Sequence, residues 1–124
     1  MHNSRLFDLE DALKRTMGNI LFLKEMLDEF QNALPGHLAD IQAAIDRGDM
    51  DRLEKGAHQL KGTAANLGAT AVAGAALALE KIGKNGQATQ ANQALAQLEY
   101  ALDAFTEEIQ QVDWSAYPDS AEDP

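Results

Sequence analysis

His58, Lys61 and Gly62 are the residues whose types and spacing could do chemistry. They sit in the run Ala57-His58-Gln59-Leu60-Lys61-Gly62-Thr63-Ala64-Ala65-Asn66-Leu67-Gly68-Ala69. As a helix, this region carries an apolar stripe of Met50, Leu53, Ala57, Leu60, Ala64 and Leu67, in alternating steps of three and four. His58 then falls roughly 140° from the centre of that stripe. Its ring faces solvent or a partner, not the core. Lys61 and Gly62, three and four residues on, lie beside the imidazole. A neutral imidazole nitrogen can take a phosphoryl group. A lysine one turn away offsets the negative charge that arrives with it. A glycine inside a helix costs about 1 kcal/mol relative to alanine. Its use here leaves room for a second macromolecule to bring its own active site close.

Plainer readings stand beside these. His58 alone is a surface histidine without a task, and Lys61 an ordinary solvated lysine. Gly62 could serve a close helix–helix contact, but its angle opposite the stripe argues against that. Lys55, three residues before His58, adds positive field or touches an acidic partner, or is simply solvated. Gln59 is exposed and falls inside any docking footprint. Ala65 lies on the His58 side as a small, partner-facing residue, and Asn66 helps to end the helix. A metal role fits poorly. His2, His37 and His58 have no close histidine partner, there is no cysteine, and Glu54 with His58 makes only two ligands.

The elements that position these residues follow from caps and periodicity. Residues 1–7 form a lead-in. Asp8 caps a brief helix to about Arg15, with Leu9, Leu13 and Phe7 facing inward. Met17-Gly18-Asn19 breaks it, and Asn19 caps the next. Ile20, Leu23, Leu27, Phe30 and Leu34 then repeat at helical spacing. Pro35 removes a backbone donor and crowds the preceding turn, yet the period continues through Leu38, Ile41 and Ile45. A kink or break near Pro35 is the expectation. Gly48 ends this helix and Asp49 caps the next, from about Met50 to Leu67. Gly68 takes a left-handed C-terminal position. Thr70 starts an antiparallel helix to about Ile82, whose C-terminal end suits Lys81 and Lys84. Gly83, Asn85 and Gly86 make a turn. A last helix from about Ala88 to Val112 buries Ala91, Leu95, Leu98, Leu102, Phe105, Ile109 and Val112. No segment alternates as a strand. The fold class is all-α, an antiparallel four-helix bundle over residues 8–112 with a short extra N-terminal helix. Residues 113–124 are an acidic, flexible tail, except that Trp114 and Tyr117 fold back on the end of the bundle, with a partner-docking role as the alternative.

Composition removes whole classes of function. A single domain of 124 residues with a formal charge of −10 does not suit nucleic acid or an anionic membrane surface. The absence of cysteine removes disulfides, thiol nucleophiles and cysteine-based metal sites. No run approaches the roughly 20 apolar residues that span a bilayer, and the start lacks the plan of a signal peptide. A cytoplasmic protein is the default. There is no Gly-rich phosphate loop after a strand, no nucleotide motif and no paired catalytic carboxylates. No cofactor is expected.

The stretch AHQLKGTAANLGA resembles the histidine-phosphotransfer (HPt) family. Its pattern is a His, then Lys-Gly three and four residues later, then small residues and a Gly-Ala helix end. His58, Lys61, Gly62, Ala64, Gly68 and Ala69 match as they stand. The resemblance extends over roughly Asp8 to Ile109. It implies that His58 is the phosphoacceptor and that Lys61 supports the phosphoryl charge. It also implies a role for Glu80. Domains resembling this one carry there, on the antiparallel helix, a Gln or Glu that hydrogen-bonds the histidine's other ring nitrogen. A carboxylate at that place would fix the tautomer and leave Nε2 free to attack; a solvated helix charge is the alternative.

The implied function is relay of a phosphoryl group between receiver-domain aspartates, the receivers belonging to response regulators or hybrid histidine kinases. The receiver is expected to supply Mg²⁺. The chain is then a monomeric phosphocarrier, not an enzyme. Met1 and the fading tail favour a free-standing protein over a piece of a larger kinase. Two rivals remain. One is the phosphoacceptor domain of a chemotaxis-type kinase. The other is a helical interaction module that is never phosphorylated.

Overall fold

The computed structural model describes residues 6–117. Five helices follow in order: α1 (Leu9–Arg15), α2 (Ile20–Arg47), α3 (Met50–Asn66), α4 (Thr70–Asn85) and α5 (Ala91–Gln111). There is no strand among the described residues. α2 packs on α3, α3 on α4, α4 on α5 and α5 back on α2, which closes an antiparallel four-helix bundle. α1 lies across one end as the extra helix.

Short polar side chains start the helices where orphan N–H groups need acceptors. Asp8 accepts from the Asp11 N–H, Asn19 from that of Phe22, and Asp49 from that of Arg52. The buried stripes follow the sequence periodicity closely. Leu53, Ala57, Leu60, Ala64 and Leu67 are buried on the α3 side, while Met50 is only partly so. On α1, Ala12 takes the fully buried place and Leu13 only half-buries. Each buried leucine contributes about 2 kcal/mol of hydrophobic stabilisation, and each alanine far less. A bundle this rich in alanine therefore depends on close helix approach.

Pro35 produces no break. α2 is one helix of 28 residues with Pro35 inside it. The apolar face on both sides of the proline, Leu34 and Ile41 among it, is buried against the bundle. That burial carries the helix across the lost hydrogen bond.

Two glycines set how α3 and α4 meet. Gly68 has φ 72° and its carbonyl accepts from the Asp8 N–H at 2.7 Å. A Cβ there would collide with the Asp8 carbonyl. The turn after α3 is thus sealed by the chain that leads into α1. Gly83 was expected in a turn, but it lies inside α4, and the left-handed end is Gly86 (φ 68°). A Cβ on Gly83 would stand 2.7 Å from the Glu54 nitrogen and 2.9 Å from the Met50 carbonyl oxygen. Backbone meets backbone at this crossing.

The end of the bundle that carries α1 and the Gly68 turn is held by aromatic packing. Phe7 is fully buried, edge-on to Phe105 at 5.7 Å and 6.3 Å from Trp114. Trp114 and Tyr117 do fold back: both pack against the core, and the Lys24 ammonium lies 5.8 Å from the centre of the indole. The remainder of the expected tail, residues 118–124, and the first five residues, including His2, lie outside the described residues.

Gly83 and Gly62 make opposite predictions. Gly83→Ala should cost about 1–3 kcal/mol, because its methyl meets backbone that must shift. Gly62 has open space around it, so Gly62→Ala should add about 0.5–1 kcal/mol through helix propensity. Urea unfolding of both variants tests the pair, and equal effects would contradict this account of the crossing.

Candidate functional site

The α3–α4 crossing fixes the site's register. Gly83 touches α3 at Glu54. The helices are antiparallel, so one turn back on α4 meets one turn forward on α3. That brings Glu80 opposite His58. The side chains complete the contact. His58 Nδ1 lies 2.8 Å from Glu80 Oε2, and the Lys61 ammonium donates to Glu80 Oε1 at 2.6 Å. One carboxylate bridges both residues that the sequence singled out.

Exposure differs sharply across the three. The His58 side chain is 67% exposed, Lys61 29% and Glu80 19%. Glu80 and Lys61 form a partly sheltered base, and the imidazole stands on it facing out.

The electrostatics decide which nitrogen holds the proton. The Lys61 hydrogen bond, then the His58 hydrogen bond, hold the Glu80 carboxyl below its ordinary 4.5, against a smaller opposing effect of burial. An ionised carboxylate only accepts. The hydrogen between Glu80 and His58 therefore belongs to Nδ1, and in the neutral ring Nε2 keeps its lone pair. Such an imidazole is a nucleophile at Nε2.

The other sequence candidates are placed less tightly. The Lys55 ammonium pairs with Asp51 at 3.0 Å on its own helix, and that bond raises its pKa. Both groups are exposed, so the pair adds little stability, and it is not drawn to the imidazole. Gln59 is exposed, and its carbonyl accepts from the Thr63 hydroxyl at 3.1 Å. Gly62 is exposed beside His58 with nothing within reach of a Cβ. Ala65 is half-buried on the same side. Asn66 accepts from Arg15 at 3.2 Å and so links α1 to the end of α3.

The sequence reading passed over Leu77 and gave Lys84 only a place at the helix end. They are three before and four after Glu80 and share its face of α4. Leu77 is an exposed large apolar residue, and Lys84 is exposed too. The same spacing would have found them once Glu80 was in place. From Lys55 to Lys84 the chain carries four lysines and a single acid, Glu80, although its overall formal charge is −10. Among the described residues, no three His, Cys, Asp or Glu side chains converge as metal ligands would. No helix of the described residues is long and apolar enough to cross a membrane.

The structure is thus of the class of antiparallel helical bundles that present one carboxylate-held histidine. The family model for the Hpt domain matches residues 25–112, most of the chain, and the chain belongs to that family. No curated protein and no solved structure matches it. Membership carries the coarse function: histidine phosphotransfer in a phosphorelay, the work of a carrier, with receiver domains as the family's general partners.

The lowered pKa of Glu80 has a consequence for acid stability. Its bonds stabilise the fold fully above the ordinary carboxyl value and are lost as pH falls through the lowered one. Urea midpoints measured from about pH 6 to about pH 3 should therefore fall more steeply for wild type than for Glu80→Gln. Parallel slopes would contradict the assignment.

Proposed function

We propose that this chain carries a phosphoryl group on His58 Nε2 between the aspartates of two receiver domains. The observation that carries this reading is the bond from His58 Nδ1 to Glu80 beneath a largely exposed ring. It leaves Nε2 as the outward nucleophile.

In the first half of the relay, Nε2 attacks the phosphorus of a receiver's phospho-aspartate. The N–P bond forms, the P–O bond breaks, and its electron pair returns to the aspartate carboxylate. In the second half, another receiver's carboxylate attacks the same phosphorus, and the pair of the N–P bond returns to Nε2. The chain contributes position and charge, as phosphoryl transfer requires. Mg²⁺ belongs to the receiver in this proposal.

Lys61 has three N–H donors and spends one on Glu80. The remaining donors face outward to the phosphoryl oxygens. Gly62 and Ala65 leave the approach to the ring clear. Gln59 and Lys55 lie in the footprint of the docked receiver. The surplus of lysine from Lys55 to Lys84 suits a partner whose active site is a cluster of acids. We place the bundle at residues 8–112 and the relay in the cytoplasm, with the chain as a monomer.

The test is transfer from a phosphorylated receiver with Mg²⁺, read by intact mass. Wild type should gain one acid-labile phosphoryl group, and His58→Gln should gain none. Labelling only by a kinase catalytic domain with ATP would favour the chemotaxis-type rival. No adduct from either source would leave a helical interaction module.

A further inference from the structure

Phosphorylation changes what His58 needs from its neighbours. The form that attacks is the neutral ring, with its hydrogen on Nδ1. Once Nε2 holds the phosphoryl group, a ring that keeps the Nδ1 hydrogen is formally cationic. Its fate then depends on that one proton. With the proton in place, breaking the N–P bond releases neutral imidazole. Without it, the same step must release an imidazolate anion, a far poorer leaving group. A histidine ring titrates near neutrality, so the protonated form is not assured.

The geometry around the ring bears directly on this proton. Glu80 Oε2 stands 2.8 Å from Nδ1, the atom concerned. Lys61 holds the other carboxylate oxygen at 2.6 Å. Glu80 is only 19% exposed, so water screens its charge incompletely. The remaining charges facing the ring are few. On α3, Glu54 and Lys55 flank His58 one turn towards the N-terminus, and the Lys55 amine is occupied by Asp51. On α4, Lys84 lies one turn beyond Glu80. From α2, Asp40 sits next to Arg52 and His37 shares a groove with Thr63, both on the far flank of α3. Glu80 is the one group bonded to Nδ1.

We infer that Glu80 is a positioning residue for the second half of the relay: its negative charge keeps the Nδ1 proton on phospho-His58, so that the ring departs as neutral imidazole when a receiver takes the phosphoryl group. This rests on the phosphoacceptor reading of His58 and goes beyond orientation of the ring. Orientation needs only an acceptor, which a glutamine supplies equally well. Proton retention needs a charge. Lys61 acquires a second task as well. By holding Glu80 ionised it prevents the carboxylate from taking the proton itself, since a carboxyl of lowered pKa is the weaker base. The proton stays on the ring throughout, as it does where a buried aspartate supports a catalytic histidine.

Glu80→Gln separates the two roles, because it keeps the shape and an acceptor but removes the charge. Wild type and Glu80→Gln are phosphorylated with phosphoramidate, and the phosphorus resonance is followed by NMR from about pH 6 to about pH 10. Transfer to a receiver is timed over the same range. The Nδ1 midpoint should lie about one unit higher in wild type, the shift expected from a carboxylate within hydrogen-bond distance. Above both midpoints, donation by Glu80→Gln should be about tenfold slower, and below both the two proteins should donate alike. Equal midpoints and parallel pH profiles would overturn the inference and leave Glu80 as an orienting residue only. Failure of wild type to form any adduct at His58 would instead overturn the phosphoacceptor reading, and this inference with it.

Discussion

One carboxylate joins the two helices that make the site. Glu80 accepts from His58 Nδ1 with one oxygen and from Lys61 with the other. The contact is possible only because α3 and α4 approach to backbone distance at Gly83. A side chain at that crossing would push α4 outward and stretch both bonds. The packing constraint and the chemical site are therefore one structure. The hydrophobic stripes bring the helices together, the missing Cβ fixes how closely, and the closeness decides which nitrogen of the imidazole is free.

That dependence explains why much of the chain is small. Ala57, Ala64, Ala76 and Gly83 are buried, and they allow a narrow gap between helices. They contribute little hydrophobic energy themselves. Larger residues supply it: Phe7 against Phe105 and Trp114, Phe30 against Phe105, the leucines of α2 and α5, and Leu53, Leu60 and Leu79 within the α3–α4 pair. The aromatic end and the closely packed α3–α4 pair divide the work. One anchors the fold, and the other holds the site to hydrogen-bond tolerance.

The sequence made some of this legible and left some hidden. Asp8, Asn19 and Asp49 announced their helices because capping is local chemistry. The exposed angle of His58 followed from a stripe that the structure buries almost unchanged. Glu80 could not be reached by such reasoning. Its place opposite His58 depends on the register between two helices, and that register is set at Gly83, which reads from sequence as a turn residue. Only the family resemblance pointed to it. Pro35 shows where a local rule reaches its end. It predicts a kink or break, and burial of the face on both sides keeps the helix unbroken. The pairing of Lys55 with Asp51 was legible, since an acid four residues before a lysine on one helix is the favoured spacing for an ion pair, but Lys55 was weighed only against the imidazole, a partner and solvent.

The central claim is that Glu80 holds the hydrogen of His58 on Nδ1 and leaves Nε2 as the free nitrogen. Two-bond nitrogen–proton correlation of the imidazole, recorded on the unphosphorylated protein near neutral pH, reads this directly. The account predicts a protonated, pyrrole-type Nδ1 and a bare, pyridine-type Nε2, with the Nδ1 signature weakened in Glu80→Ala. A proton on Nε2, or nitrogen shifts that average between tautomers and ignore the loss of Glu80, would contradict it.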